Sequence, residues 1–380
     1  MNNTLYPPFA LKLGQIYILW FQPSNRYLLI SESIYRLLQF YTQSKDNLDF
    51  ILKLQNEFDF SKNEATGCLE DIEELLVSSN AIEKTVKLTA SHSQIPDSNL
   101  SYYYQFNNQE FRINYGSEGI KFLIHPQFAH LVTEPSENIA TFDIFLDGQN
   151  LMLFIDKYFT GSFLRSEYHL LQGQFAVELL NILYSKVESD WVATFHASTI
   201  TNGNEAIMLI GDSGNGKSTL TALLLAHGFD VVADDFTPLS ADDLELYHYP
   251  AGISVKEGAF KTMSDFFPEF INSPTSKSPS KLGDVKYIAP KSTSADLKIH
   301  YPCSKVVFVK YDSETPSSFM EFEVENLLPT LINQSWLSPL PKNAKLFMNW
   351  VQNVESYHLS YSNNNFAVTA ITNLFNVKHH

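Results

Sequence analysis

Residues 206–235, AIMLIGDSGNGKSTLTALLLAHGFDVVADD, constrain this chain more than any other stretch: a short apolar run, a glycine-rich loop, a helical run and a second apolar run follow without a spacer. Ala206–Ile210 reads as a buried strand and Thr219–His227 as a helix that Gly228 stops. The loop between them, Gly211–Asp212–Ser213–Gly214–Asn215–Gly216–Lys217–Ser218, fits G-x-x-x-x-G-K-[ST]. In such a loop, glycines let backbone N–H groups close on phosphate oxygens, the lysine adds charge and the hydroxyl ligates Mg²⁺. The expectation is an ATP site built from Gly211 through Thr219, with Ser218 toward the metal.

Phe229–Ala233 reads next as a strand of parallel character that ends beside the loop and delivers Asp234 and Asp235 to the carboxyl edge of a sheet. Two adjacent carboxylates suit two jobs. One holds Mg²⁺, and the other accepts a hydroxyl proton as the substrate oxygen attacks the γ-phosphorus. Neighbouring strand residues point to opposite faces, so one role is expected for each.

GDSGNGKS followed by VADD resembles the catalytic core of the HPr kinase/phosphorylase family and its kinase-like relatives. That family carries a histidine at the start of the hairpin before the loop, where FHASTITNGNEAIMLIG has His196. YPAGISVKEGAF (249–260), VKYIAP (285–290) and YPCSKVVFVKY (301–311) are similar to segments of the relatives, so the likeness covers about residues 190–312. The resemblance implies Lys217 on the β- and γ-phosphates, Ser218 and Asp235 toward magnesium, Asp234 as the base and His196 near the transferred phosphoryl group. The chain departs from the HPr enzyme where a strand with a glutamate and an arginine is expected: it has YPAGISV there, with Lys256 and Glu257 as the nearby polar residues. The arginines are Arg26, Arg36, Arg112 and Arg165, so none lies in the kinase half to act as an arginine finger, leaving Lys256, Lys281 or Lys286 as candidate cations.

The N-terminal 90 residues read as a separate unit. Leu11–Phe21 and Arg26–Ile30, joined by QPSN, form a predicted β-hairpin; apolar residues at helical spacing from Ser31 to Tyr41, around Leu48–Leu54 and from Cys68 to Leu76 predict three helices. YLLISES, DFILKLQNEFDF and GCLEDIEELLVSSNAI, over about residues 8–84, resemble the PqqD-like winged-helix domains. That resemblance implies a module that captures the leader of a ribosomally made precursor peptide by adding it as a strand to the sheet edge. Winged helices also bind DNA, but a net charge of −16 and an acidic module with no Lys/Arg stripe exclude nucleic acid as a partner.

Between the two, Tyr102–Phe106, Phe111–Tyr115, Ile120–Ile124, Phe142–Leu146 and Leu151–Ile155 are predicted strands, with a hairpin turn at Asp147–Gly148 and a helix over Glu167–Tyr184. The Ser-, Pro- and Lys-rich stretch between Phe266 and Pro302 reads as a loop over the site. A chain of 380 residues with 44% hydrophobic content supports two or three domains with full cores. Cys68 and Cys303 fall in different units, away from histidine clusters, which argues against a disulfide framework and a zinc site. No export signal and no run of ~20 apolar residues is present, so a cytoplasmic protein without a membrane partner is expected. His379 and His380 are set aside as a tag remnant.

The fold class expected is an α/β P-loop kinase domain of HPr kinase type (188–380), preceded by a winged-helix-like α+β module (1–90) and a β-rich middle region (91–187). The function expected is an ATP- and Mg²⁺-dependent kinase that holds a precursor peptide through its leader and phosphorylates a Ser or Thr hydroxyl. A kinase of a free hydroxyl compound such as serine or of a regulatory protein, and a non-catalytic nucleotide-binding scaffold, are the alternatives. Kinases resembling this core form rings or dimers, which leaves a homo-oligomer open.

Overall fold

The computed structural model describes residues 5–82, 95–97, 100–277, 283–290 and 298–376. It opens with three antiparallel strands, β1 (Phe9–Leu13), β2 (Ile16–Phe21) and β3 (Arg26–Ser31), where the sequence predicts two. Gly14 takes φ +48°, a conformation open to a residue without Cβ, and turns the chain inside the expected first strand. Helices α1 (Glu32–Gln43), α2 (Asn47–Phe58) and α3 (Lys62–Asn80) follow, each begun by a side-chain cap: Ser31, Asp46 and Ser61 accept from backbone N–H groups three residues on.

Alternation along β2 sends Leu19 and Phe21 to one face, where they pack with Leu38, Phe50 and Leu69 of the helices. Ile18 and Trp20 point the other way and join Leu327, Phe347 and Trp350 in the core of the C-terminal half. The small sheet is therefore a wall between two cores. Polar ties hold its edge: Asn25 Nδ2 donates to the Leu337 carbonyl and the Gln15 N–H to Glu325 Oε1, each at 2.7 Å.

The middle region comprises β4 (Leu100–Phe106), β5 (Gln109–Tyr115), α4 (Glu118–Phe128), β6 (Val132–Thr133), β7 (Ala140–Asp147), β8 (Asn150–Ile155), β9 (Tyr158–Leu164) and α5 (Tyr168–Tyr184). Its strands form one sheet in the order β6-β4-β5-β7-β8-β9. The predicted strand Ile120–Ile124 is wrong: it is the core of α4. Ser117 caps that helix through the Ile120 N–H, and Ile120, Ile124 and Phe128 recur every four residues as a single buried face, which a scan for apolar runs alone misses. The turn at Asp147–Gly148 is present, with Asp147 opposite Asn150 and Gly148 at φ +58°. α5 covers the sheet with Leu171, Phe175 and Leu179.

The rest runs β10 (Trp191–Phe195), β11 (Ser198–Thr201), β12 (Ala206–Ile210), α6 (Lys217–Ala226), β13 (Asp230–Ala233), β14 (Thr237–Ser240), β15 (Glu245–Tyr247), β16 (Ile253–Lys256), α7 (Phe260–Phe266), β17 (Ser276–Lys277), β18 (Asp284–Ile288) and β19 (His300–Tyr311). It closes with β20 (Ser318–Glu321), α8 (Val324–Asn333), β21 (Ser335–Leu337), α9 (Pro341–Gln352), β22 (Glu355–Tyr361) and α10 (Asn364–Asn376). The long β19 is the spine of the large sheet. Its first residues pair with β15, and its later ones run parallel to β12 on one side and β22 on the other. α6 and α10 pack on one face of this sheet with Leu209, Val307 and Leu359.

β13 differs from its expected parallel pairing: it sits at the sheet edge against β11, antiparallel. Because β11 is antiparallel to β12 as well, β13 still runs in the direction of β12 and ends at the same edge. The described part of the Ser/Pro/Lys-rich stretch is likewise not all loop. Alternating Val285 and Tyr287 make β18, which pairs with β16 in a small sheet ordered β16-β18-β17. Residues 278–282 and 291–297, Lys281 among them, lie outside the described residues, as do His379 and His380. Among the described residues no helix is long and apolar enough to cross a membrane.

Candidate functional site

The loop 211–218 joins β12 to α6 at the carboxyl edge of the parallel strands β12, β19 and β22, the edge at which such sheets bind ligands. Its bends require glycine. Gly211 has φ +146°, and a Cβ there would lie 2.5 Å from the Val309 carbonyl; at Gly216, φ +86°, a Cβ would lie 2.8 Å from the Tyr361 hydroxyl. The loop is pinned to the neighbouring strand by the Tyr311 N–H, which donates to the Asn215 carbonyl at 3.0 Å. No side chain caps α6, so its first N–H groups are left for a ligand oxygen.

Lys217 begins that helix, 5% exposed, with Nζ donating to the Gly211 carbonyl. Burial lowers its pKa, against the opposing pull of Asp235 and Asp234. Lys256 reaches the loop from β16 and donates to Ser213 Oγ at 3.3 Å. Lys286 is held elsewhere: it is buried and donates to the carbonyls of Phe270 and Ile271 at 3.0 and 2.7 Å.

The two aspartates part at the end of β13. Asp234 is 3% exposed. Ser198 Oγ donates to its Oδ1, and the Ser254 N–H donates to its Oδ2 at 2.9 Å. Burial, and after it the charge on Asp235, raises its pKa from 3.8 to about 7, while bonds from Ser198, Ser254 and Ser218 pull it down. Asp235 follows at φ +62°, outside the strand, so alternation does not govern it. Its Oδ2 accepts from Ser254 Oγ at 3.2 Å, and its Oδ1 lies 3.9 Å from His196 Nδ1. Ser254 thus touches both carboxylates, and the expectation that neighbouring residues diverge completely is corrected by the turn at Asp235.

These groups surround a cavity of about 360 Å³. His196, Lys217, Ser218, Thr219 and Asp235 line it, as do Asp212, Ser213, Gly214 and Gly216 of the loop. Gly211, Asn215 and Asp234 stand behind this lining, where they shape the loop or brace the serines. Tyr311 and Tyr361, at the ends of β19 and β22, complete the lining where they pack against the loop at Asn215 and Gly216. His196 lies between β10 and β11, with its N–H donating to the Gln334 carbonyl at 3.1 Å; Gln334 Nε2 in turn donates to Asp212 Oδ1 at 3.1 Å. Ser198, Ser254, Gln334 and the two tyrosines were not singled out from the sequence. Ser198, Ser254 and Tyr311 had a signal, their places in segments that resemble the kinase-like relatives, whereas Gln334 and Tyr361 had none.

Chemically, the arrangement offers backbone donors and two lysines for phosphate oxygens, and a hydroxyl with a buried carboxylate for a divalent ion. A solvent-facing carboxylate beside a histidine remains for proton transfer. No family model and no curated protein matches the chain. Among solved structures it is similar to the Hpr(Ser) kinase/phosphatase from Coxiella burnetii, at 12% identity and a TM-score of 0.25, over 48% of this chain and 95% of that one. A likeness of that size leaves the assignment to the geometry of the site itself.

Proposed function

We propose that this protein is an ATP- and Mg²⁺-dependent phosphotransferase whose acceptor is a Ser or Thr hydroxyl of a ribosomally made precursor peptide. The observation that carries the reading is the single cavity shared by a glycine-bent loop, an uncapped helix start with Lys217, and the Asp235–His196 pair. The triphosphate lies along the loop, with Lys217 and Lys256 on its oxygens. Ser218 would hold the magnesium ion, with Asp234 behind it accepting from the Ser218 hydroxyl, and the ion would neutralise phosphate charge. Asp235 takes the proton of the acceptor hydroxyl as its oxygen bonds to the γ-phosphorus; the bond to the bridging oxygen breaks and ADP leaves with the electron pair. This division of labour moves the proton-accepting role expected of Asp234 to Asp235. Exposure supports it, because Asp235 faces the cavity and Asp234 does not.

The peptide part of the reading draws on the N-terminal sheet. Strand β3 is an edge strand, and beside it a groove of about 390 Å³ is lined by Arg26, Tyr27 and Leu28 of β3 and by Asp71, Glu74 and Leu75 of α3. An extended leader added to that edge would pair with β3 through its backbone and lie against α3. Tethering it there makes delivery of a distant hydroxyl intramolecular.

Transfer from γ-labelled ATP to candidate precursor peptides, with and without their leaders, tests the proposal. Leader-dependent labelling that disappears in Lys217→Ala supports it. Labelling of free serine without any leader would replace the peptide by a small alcohol, and nucleotide binding with no transfer would leave a scaffold.

A further inference from the structure

A further cavity, of about 390 Å³, shares no lining residue with the first. It lies between α4 of the middle region and the chain around β17 and β18, and its apolar lining, Phe122, Pro126, Ala129, Pro274, Tyr287 and Ala289, is interspersed with polar residues. Tyr287 is the link. It pairs across the small sheet with Ser254, so the two side chains share the face on which Ser254 holds the aspartates. Burial, then the charges of Asp235 and Asp234, pushes the Tyr287 phenol up to about 12, so it remains a neutral donor beside the doublet.

The polar groups of this cavity carry little net charge. At its rim Lys121 Nζ stands 3.5 Å from Glu118 Oε2. His125 is fixed by Tyr104, whose hydroxyl lies 2.8 Å from Nδ1. Burial lowers the pKa of His125 and brings that of His130 to about 4, so both rings are uncharged at neutral pH.

We infer that this cavity is the acceptor-side subsite of the transfer centre, taking an uncharged apolar or aromatic side chain that adjoins the hydroxyl to be phosphorylated. The inference rests on the phosphotransfer reading and adds what the acceptor must carry. An apolar neighbour seated between Phe122 and Pro274 places the hydroxyl on the Tyr287–Ser254 face, next to Asp235.

The probes are acetyl-Phe-Ser-amide and acetyl-Asp-Ser-amide, titrated into the full-length protein and followed by saturation-transfer NMR. The phenylalanyl probe should bind at least ~10-fold more tightly than the aspartyl one, the discrimination expected of an apolar pocket against a charge. Ala129 is exposed on the cavity wall, so Ala129→Trp fills the cavity without disturbing a core; it should weaken the phenylalanyl probe at least ~10-fold and leave ATP affinity unchanged. Tyr158→Trp, at a remote residue 78% exposed, should change neither. Equal binding of the two probes, or undiminished binding in Ala129→Trp, overturns the subsite. Transfer from ATP to leader-bearing precursor peptides is read in parallel: probe binding with no transfer to any of these peptides removes the phosphotransfer reading and the acceptor role with it, whereas transfer indifferent to Ala129→Trp removes the subsite alone.

Discussion

Replacing Asp234 by Asn separates the cost of a buried charge from the value of its hydrogen bonds. In the folded protein this carboxyl titrates at about 7, against 3.8 ordinarily, mainly because it is buried. Between those values the folded state keeps a proton that the unfolded chain has released, so stability falls as pH rises through that window. Three tenfold steps at ~1.4 kcal/mol each make the full charge cost about 4 kcal/mol above pH 7. Asparagine has the same shape; its Oδ1 can accept from the Ser254 N–H, and its Nδ2 can donate to the Ser198 hydroxyl. The variant should melt near the wild type at about pH 4 and several degrees above it at about pH 8, in calorimetric scans with a chelator present. A variant that melts lower than the wild type by the same margin at both pH values would refute the reasoning, because the hydrogen bonds would then outweigh the charge.

Asp235→Asn should reduce the transfer rate by at least ~10²-fold while nucleotide affinity, measured by calorimetry, stays within about twofold. Gly211→Ala forces a Cβ to 2.5 Å from the Val309 carbonyl at φ +146°; loss of nucleotide binding together with a lower melting temperature is expected, and a fully active variant would contradict the loop geometry. The two lysines should behave oppositely. Lys256→Met should weaken ATP binding with little change in melting, whereas Lys286→Met, which strips the carbonyls of Phe270 and Ile271 of a buried donor, should cost ~1–3 kcal/mol in denaturant titration and spare the ATP affinity.

The glycine-bent loop 211–218 was legible because each of its parts has a local cause: glycine where the backbone must bend, an apolar run before it and a helical run after. The N-terminal helices were legible from the spacing of their apolar residues, though the third was read from Cys68 whereas the cap at Ser61 starts it at Lys62. What escaped depended on partners distant in the chain. Ser254 meets the doublet only because β16 lies across from β13, and Tyr311 and Tyr361 reach the cavity only because β19 and β22 run parallel to β12. In α4, the strand reading counted apolar residues and overlooked the cap at Ser117 that sets a helical period. The direction of β13 was read correctly and its partner was not, because orientation within a sheet is a property of the strand in between.

The shared wall formed by β1–β3 has a consequence for dissection of the protein. Ile18 and Trp20 are fully buried, and the surfaces they cover belong to α8 and α9. A fragment starting after residue 82 would bare Leu327, Phe347 and Trp350 together, a sticky patch that invites aggregation. Sequence suggests detachable parts, but the first eighty residues double as the lid on a neighbour's interior, so a truncation that abolishes the proposed activity would not by itself reveal what those residues recognise.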